Sequence, residues 1–252
     1  MSDLHTGLFV VSDVHGHLDD LRRGLVDAGL VDAAGAWAGG DAELWMLGDL
    51  VDRGPDGIGV IDLMMSLQRQ APDQVHVLMG NHEALALGQK LFPGSSFADV
   101  WALNGGKARD QDALTDDHVA WLRGLPLMGR VGDFLLMHSD TTAYLTWGES
   151  VDSVNATVSG LLASEDATEH WDVFARLTSR YHFTGADGGD VATGVLSTFG
   201  GECVVHGHTI IGSLTGTPSE EVTGPMLYAD GLVLAIDGGR YDGGPLLLVR
   251  LD

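Results

Sequence analysis

Leu44-Trp45-Met46-Leu47-Gly48-Asp49 sets an unbroken apolar run against a glycine and a carboxylate, and the construction recurs along the chain. Leu8 to Val11 leads to Asp13 and His15, and Val75 to Met79 leads to Asn81 and His82. Phe134 to Met137 ends at His138, and Cys203 to Val205 at His206 and His208. Short apolar runs of this kind read as strands buried on both faces. In open α/β sheets, ligands bind in the crevice outside the carboxyl ends of the strands, so these ends can converge on one site. The converging side chains offer oxygen and nitrogen donors and no thiolate. That set suits hard or borderline divalent ions such as Mn, Fe or Zn.

The spacing adds chemistry to the pattern. Residues two apart on a strand share a face, so Asp13 and His15 are expected to reach one ion together if strand geometry persists to that point. Asp49 lies in Gly48-Asp49-Leu50-Val51-Asp52-Arg53-Gly54, where a two-oxygen carboxylate can bridge two ions and the glycines permit close backbone approach. Asn81 offers an amide oxygen at a helix start, and His138 and His208 offer imidazole nitrogens. These ligands suffice for two metals sharing Asp49. Ions about 3.5–4 Å apart can generate a hydroxide at neutral pH and clamp the oxygens of an in-line phosphoryl displacement.

Between the strand ends, Leu18, Leu21, Leu25 and Leu30 keep helical spacing, as do Ile58, Ile61, Met65 and Gln68. Thr115 caps a further amphipathic stretch through Val119 and Leu122 to the Gly124-Leu125-Pro126 stop. Two helices are expected within 141–197, around Val151 to Leu161 and Trp171 to Leu177, as a cap-like insert over the site. Gly185 to Asp190 reads as a loop by composition. Leu232 to Ile236 and Leu246 to Val249, separated by a Gly-rich turn, read as an antiparallel meander. No linker-like break divides residues 1–252, so a single domain is expected.

Composition narrows the function. With 44% hydrophobic residues the chain has enough apolar content for a sizeable core, and its formal net charge is -23. That acidity is spread along the sequence and repels phosphate backbones, which argues against nucleic-acid partners. Cys203 is the lone cysteine and lies in an apolar run, so it reads as core and fits a reducing compartment. The first residues lack the basic and apolar regions of a signal peptide, and no apolar stretch approaches the roughly 20 residues of a membrane-spanning helix. A cytoplasmic location without membrane partners is the expectation, and nothing in the pattern sets an oligomeric state.

Taken together, Asp13-Val14-His15-Gly16, the Gly48 to Gly54 segment, Gly80-Asn81-His82-Glu83, His138 and Gly207-His208-Thr209 resemble the motifs of calcineurin-like metallophosphoesterases. More narrowly, the chain is similar to bacterial phosphoprotein-phosphatase-type enzymes and related diadenosine tetraphosphatases. The likeness extends to Trp101 to Gly106, Trp121 to Pro126 and Ile236-Asp237-Gly238-Gly239. It implies a four-layer α/β/β/α sandwich of two mixed sheets flanked by helices. It also implies two divalent cations, most simply Mn: Asp13 and His15 on one, Asn81, His138 and His208 on the other, and Asp49 between them. By the same resemblance His82 is the acid that protonates the leaving alkoxide, with Asp52 orienting its ring and favouring its protonated form. Arg53 would grip the phosphate with its planar fork, and Arg180 is the second phosphate arginine, with Arg176 its rival.

This chain also departs from the pattern. Ile210 stands where many metallophosphoesterases place a second histidine, Ser139-Asp140 replaces the usual Ala-Gly, and Lys107-Ala108-Arg109 follows the Asn-Gly-Gly signal. The first favours the phosphatase branch over nucleases. Asp140 either sits beside the second metal or faces solvent. Plainer roles are assigned elsewhere. His206 orients neighbours rather than ligating, since the ligand set is already full, and Glu83 braces a loop. Asp237 orders a turn, and His76 packs within its strand. His5, His17, His118, His170 and His182 belong to the surface, and a structural salt bridge is the alternative for Arg53. The expected reaction is phosphomonoester hydrolysis by a metal-bridging hydroxide, with a phosphoserine or phosphothreonine protein as substrate. A dinucleoside polyphosphate comes second, then another small phosphoester, and a catalytically inactive phosphate-binding module is the reading outside enzymes.

Overall fold

The computed structural model describes residues 7–251. Its strands are β1 (Leu8–Val11), β2 (Glu43–Met46), β3 (Val75–Val77), β4 (Met128–Val131), β5 (Phe134–Met137), β6 (Cys203–His206), β7 (Met226–Tyr228), β8 (Val233–Ala235) and β9 (Leu248–Leu251). The helices are α1 (Leu18–Asp27), α2 (Gly57–Gln70), α3 (Asn81–Leu91), α4 (Phe97–Leu103), α5 (Ala108–Ala113), α6 (Asp116–Arg123), α7 (Val151–Ala163), α8 (Ala167–Leu177), α9 (Gly188–Phe199) and α10 (Ile211–Thr215). Two mixed sheets result, ordered β3-β2-β1-β9 and β4-β5-β6-β8-β7. His5 lies outside the described residues.

Alternation along the strands explains the unbroken apolar runs. Leu8, Val10, Trp45, Leu47, Leu78, Leu136, Val205, Ile236 and Leu251 form one cluster drawn from both sheets, the layer between them. Phe9, Val11, Leu44, Met46, Leu135, Met137 and Val204 join a second cluster with helix residues such as Leu21, Ile61 and Val195. Both faces of the central strands β1, β2, β5 and β6 are therefore apolar, which gives the expected sandwich with helices outside.

Register carries the strand ends to a common place. β1 runs parallel to β2 with Val11 opposite Met46, so the segments bearing Asp13 and Asp49 leave the first sheet side by side. In the second sheet Met137 lies opposite His206, and His206 opposite Ala235, so His138, His208 and Asp237 follow adjacent strand ends. The start of α6 matches the sequence, with Thr115 accepting from His118 N at 3.2 Å, and the structure adds an Asp56 cap on α2 that accepts from Gly59 N at 2.9 Å.

Three expectations change. The C-terminal runs form no meander: β8 pairs in parallel with β6, whereas β9 pairs antiparallel with β1 in the other sheet. The Gly-rich segment between them is a crossover, with Gly239 and Gly243 at φ of 74° and 91° supplying its bends. Residues 188–190 of the expected loop are the first turn of α9. Within the insert, α7 contacts β4 and α8 contacts α3 as part of the outer helical layer, because Val154, Val158, Val173 and Phe174 face the core. Only the exit from α8 reaches the site, where Thr178 O lies 3.1 Å from His208 Nε2.

Candidate metal centre and active site

Strand geometry does not persist to the candidate ligands. β1 stops at Val11, and Asp13 and His15 have φ of 53° and 44°. Asp49, Asp52, Arg53 and His208 share the left-handed region, at 55°, 66°, 62° and 64°. Such backbone costs about 1–3 kcal/mol per residue and survives only where its surroundings over-determine it. Here they do: Asp13 N donates to Gly48 O at 3.1 Å, His15 N to Asp49 O at 2.8 Å and Gly16 N to Leu50 O at 2.7 Å. The shared-face argument for Asp13 and His15 therefore fails, and interlocking left-handed turns aim these side chains instead. Gly48, at φ 96°, admits no side chain, since a Cβ would lie 2.5 Å from Gly80 N.

Asp49 is the hub. His15, Asp49 and His82 place ligand atoms within 4.8 Å of one another, and so do Asp49, His138 and His208; all are buried. Asp49 Oδ2 lies 3.6 Å from His15 Nε2 and 4.0 Å from His82 Nε2, and Oδ1 lies 3.4 Å from His138 Nε2. Asn81 Oδ1 is 3.0 Å from His138 Nε2. Asp13 stands outside both trios. Its Oδ2 accepts from His208 N at 2.8 Å and from the Ser12 hydroxyl, and its charge helps to raise Asp49.

The donor chemistry of this cluster fits a cation. Burial lowers the pKa of His15 and His138, so each imidazole is held neutral with a single N–H. His15 Nδ1 donates to Val51 O at 3.0 Å and His138 Nδ1 to Leu47 O at 2.8 Å. The His138 Nε2 lone pair therefore faces Asn81 Oδ1 and Asp49 Oδ1, and that of His15 lies 3.6 Å from Asp49 Oδ2 with Arg53 Nη1 beside it at 3.1 Å. Ligating histidines characteristically donate their other nitrogen to a carbonyl in this way. Separations of 3.4 and 3.6 Å suit atoms that each bind one ion at about 2.0–2.2 Å. Burial and the Asp13 carboxylate push Asp49 well upward. Asp237 is also raised, by burial and then by Asp13, and its Oδ2 is buried with no hydrogen-bond partner. A cation would relieve all of these costs.

His82 extends this arrangement. Its Nδ1 lies 2.8 Å from Asp52 Oδ2, Trp101 Nε1 donates to Asp52 Oδ1 at 3.0 Å, and Nε2 is buried without a partner. Burial, then the charges of Arg53, His138 and Arg180, hold His82 well below the usual imidazole pKa, and burial lifts Asp52 to about 7. Asp52 lies where it can orient the ring, but it does not by itself favour the protonated form, because desolvation and the neighbouring guanidinium charges outweigh it. Glu83 braces the loops as expected, accepting from Asp49 N and Leu50 N at 2.8 Å and Gly80 N at 2.9 Å.

The two arginine candidates separate. Arg176 is occupied by Asp172 at 2.7 Å and Thr146 at 2.6 Å. Arg180 lies close enough for its charge to depress His82, His138 and His208. Arg53 forms no salt bridge among the described residues: Nη1 approaches His15 Nε2 at 3.1 Å, and its guanidinium lies 3.8 Å over the Tyr241 ring.

Other assignments shift. Asp140 does not face solvent; it is buried and accepts from Thr209 Oγ1 at 2.5 Å and Tyr181 N at 2.7 Å, tying the α8 exit to the site. His206 is held by Gly207 O at 2.7 Å and the Tyr228 hydroxyl at 2.8 Å, in keeping with an orienting role. Asp237 orders its turn, accepting from Gly239 N at 2.8 Å. His118 and His170 are buried rather than surface residues. The first bonds Asp62 at 3.0 Å, and the second approaches Ser164 O at 3.0 Å. Cys203 is half-buried rather than core. Sequence reasoning passed over Tyr241 and the proximity of Asp237 to Asp13 and Asp49. Asp237 had a signal, because it follows the apolar run of β8 in the same construction as the other ligands.

A family profile described as calcineurin-like phosphoesterase matches residues 8–212. The symmetrical bis(5'-nucleosyl)-tetraphosphatase of Aeromonas salmonicida is 34% identical over 129 residues, 50% of this chain and 41% of that protein. Shewanella-like protein phosphatase 2 of Arabidopsis thaliana is 31% identical over 81 residues, 31% of this chain and 21% of that protein. Both alignments span less than half of the relatives' own length. The structure of a cold-active protein-tyrosine phosphatase from a psychrophilic Shewanella species covers 100% of this chain and 80% of that one, with a TM-score of 0.73 and 25% identity. No helix among the described residues is long and apolar enough to cross a membrane.

Proposed function

The chain belongs to the calcineurin-like phosphoesterase family, and from that premise we propose that it is a dimetal phosphomonoester hydrolase acting on phosphoserine or phosphothreonine in proteins. The observation that carries this reading is the pair of buried trios sharing Asp49. His15 and Asp49 would hold one cation, with Asp13 beside them, and Asp49, Asn81, His138 and His208 the other. When bound, such a pair supplies Lewis acidity and lowers the pKa of water; Mn suits the oxygen and nitrogen donors.

The chain's own groups do the rest. Arg53 and Arg180 bind and orient the phosphate, and their donors suit its oxygens. His82, with its ring fixed by Asp52, presents Nε2 to the leaving oxygen. Burial and then neighbouring positive charge depress His82; a bound phosphate dianion offsets the second and so favours the protonated acid when substrate is present. Its role is then to pass the Nε2 proton to the departing serine or threonine alkoxide.

Likeness over the whole chain to a protein-directed phosphatase supports a phosphoprotein. The longer alignment with the tetraphosphatase supports the second reading, a dinucleoside polyphosphate. The Mn-loaded protein should hydrolyse phosphoserine and phosphothreonine peptides with a kcat/KM at least about tenfold above that for diadenosine tetraphosphate. Comparable values, or a preference for phosphotyrosine, would overturn the ranking. Exchange H82N should depress turnover of alkyl phosphates far more than of nitrophenyl phosphate, while bound metal is unchanged.

A further inference from the structure

We infer that Tyr241 is a positioning residue for Arg53: its ring steadies the guanidinium at the mouth of the site without taking any of its N–H donors. The inference rests on Arg53 as a phosphate ligand. Arg23, Arg109, Arg176 and Arg240 each pair with an aspartate. Arg53 makes no such pair among the described residues, and its Cζ lies 3.8 Å from the Tyr241 ring centroid. A carboxylate partner would consume the fork's donors and neutralise its charge. An aromatic face steadies the same group through its π cloud without taking a donor, so the N–H groups of Arg53 other than the Nη1 near His15 Nε2 stay available.

The turn carrying Tyr241 is built to hold it. Tyr241 is the middle residue of a 3-10 turn, Arg240–Asp242, bounded by Gly239 and Gly243 in left-handed conformations. Its neighbours latch outward: Arg240 Nε donates to Asp20 Oδ2 on α1 at 2.6 Å, and Ser219 Oγ donates to Asp242 Oδ2 at 2.7 Å. The ring edge also meets His15, with centroids 5.1 Å apart. Tyr241 remains 37% exposed, so part of it stays open beside the incoming substrate.

The test uses inorganic phosphate as a competitive inhibitor of the Mn-loaded full chain, with KM, kcat and metal content measured alongside. Exchange Y241L should raise the phosphate inhibition constant and KM about 3–30-fold, a range set by cation–π strengths. Metal content should hold, and Y241F should retain tight phosphate binding. In an R53A background Y241L should have no further effect. Arg240→Gln, which unlatches the turn, should give an intermediate loss. Additivity of R53A and Y241L, or a Y241L phenotype confined to metal loss, would overturn the inference. If R53A weakens phosphate binding and Y241L does not, this inference alone fails. If R53A itself leaves phosphate binding unchanged, the phosphate role of Arg53 fails and this inference with it.

Discussion

Glu83 is the point at which the Asp49 and Asn81 loops can be loosened together without touching a candidate ligand. Its Oε2 accepts from Asp49 N and Gly80 N, and its Oε1 from Leu50 N, in a fully buried setting. Exchange to Gln keeps the shape but turns one oxygen into a donor. If the amide oxygen takes the Oε2 place, one backbone N–H is orphaned; otherwise two are. An unsatisfied buried donor costs about 1–3 kcal/mol, so E83Q should lose about 2 kcal/mol or somewhat more. Burial and the Asp49 charge lift the Glu83 carboxyl to about 8, so loss of ionic character contributes little at neutral pH, and the orphaned N–H dominates. For a chain of this size, with about 2–4 °C per kcal/mol, the melting temperature should fall by about 4–8 °C. E83A, which orphans three N–H groups, should fall further. Differential scanning calorimetry measures the shift, and calorimetric Mn titration should show weaker binding, because both the Asp49 and Asn81 turns hang on this carboxyl. A melting temperature within about 1 °C of the parent would refute the reasoning, as would E83Q being less stable than E83A.

Other outcomes follow from the same geometry. Since Asp49 belongs to both trios, D49N should reduce Mn per chain, measured by elemental analysis after gel filtration, at both sites rather than one; retention of full occupancy would count against a shared carboxylate. Burial holds His170 below its usual pKa, and its Nδ1 has no partner. Between that lowered value and about 6.5 the unfolded chain binds the proton first, so His170 should cost stability as pH falls through this window. The loss on going from pH 7.5 to 5.5 should therefore be smaller in H170Q than in the parent, and equal thermal shifts would contradict this. D140A removes the acceptor for Thr209 Oγ1 and Tyr181 N. It should cost about 2–4 kcal/mol, speed amide exchange at Tyr181, and raise KM more than it lowers kcat; unchanged exchange there would exclude Asp140 as the tie.

What the sequence revealed depended on whether the information was local. Apolar runs ending in Asp, Asn or His were legible because both faces of the central strands β1, β2, β5 and β6 are buried, between the sheets or under helices. The Thr115 cap was legible because capping is a contact over three residues. The partner of β9 was not: Gly239 and Gly243 read equally as a tight hairpin or as a crossover, and pairing of Leu248–Leu251 with β1 is decided by the far end of the chain. Likewise, Asp13 and His15 were placed near Asp49 for the wrong local reason. Strand alternation predicted a shared face, whereas left-handed turns hold them through bonds to Gly48 and Asp49 carbonyls.

Electrostatics shows why the site itself was only half visible. Residue types and spacing revealed donors, but not that His138 Nε2 faces Asn81 Oδ1 at 3.0 Å with its one proton committed to Leu47 O. Such a contact between lone pairs opposes folding, as do Asp49 and Asp237, whose carboxyls are raised by burial and then by the Asp13 charge. Backbone donors answer only part of this demand: His82 N donates to Asp49 Oδ1 at 3.0 Å and Gly239 N to Asp237 Oδ1 at 2.8 Å, whereas Asp237 Oδ2 is buried without a partner. The backbone is therefore satisfied and the side chains are not, so the uncompensated charge is a property of the site rather than of poor packing. Tyr241 follows the same logic from the other sign: an aromatic face lies 3.8 Å from the Arg53 guanidinium and steadies it without neutralising its charge.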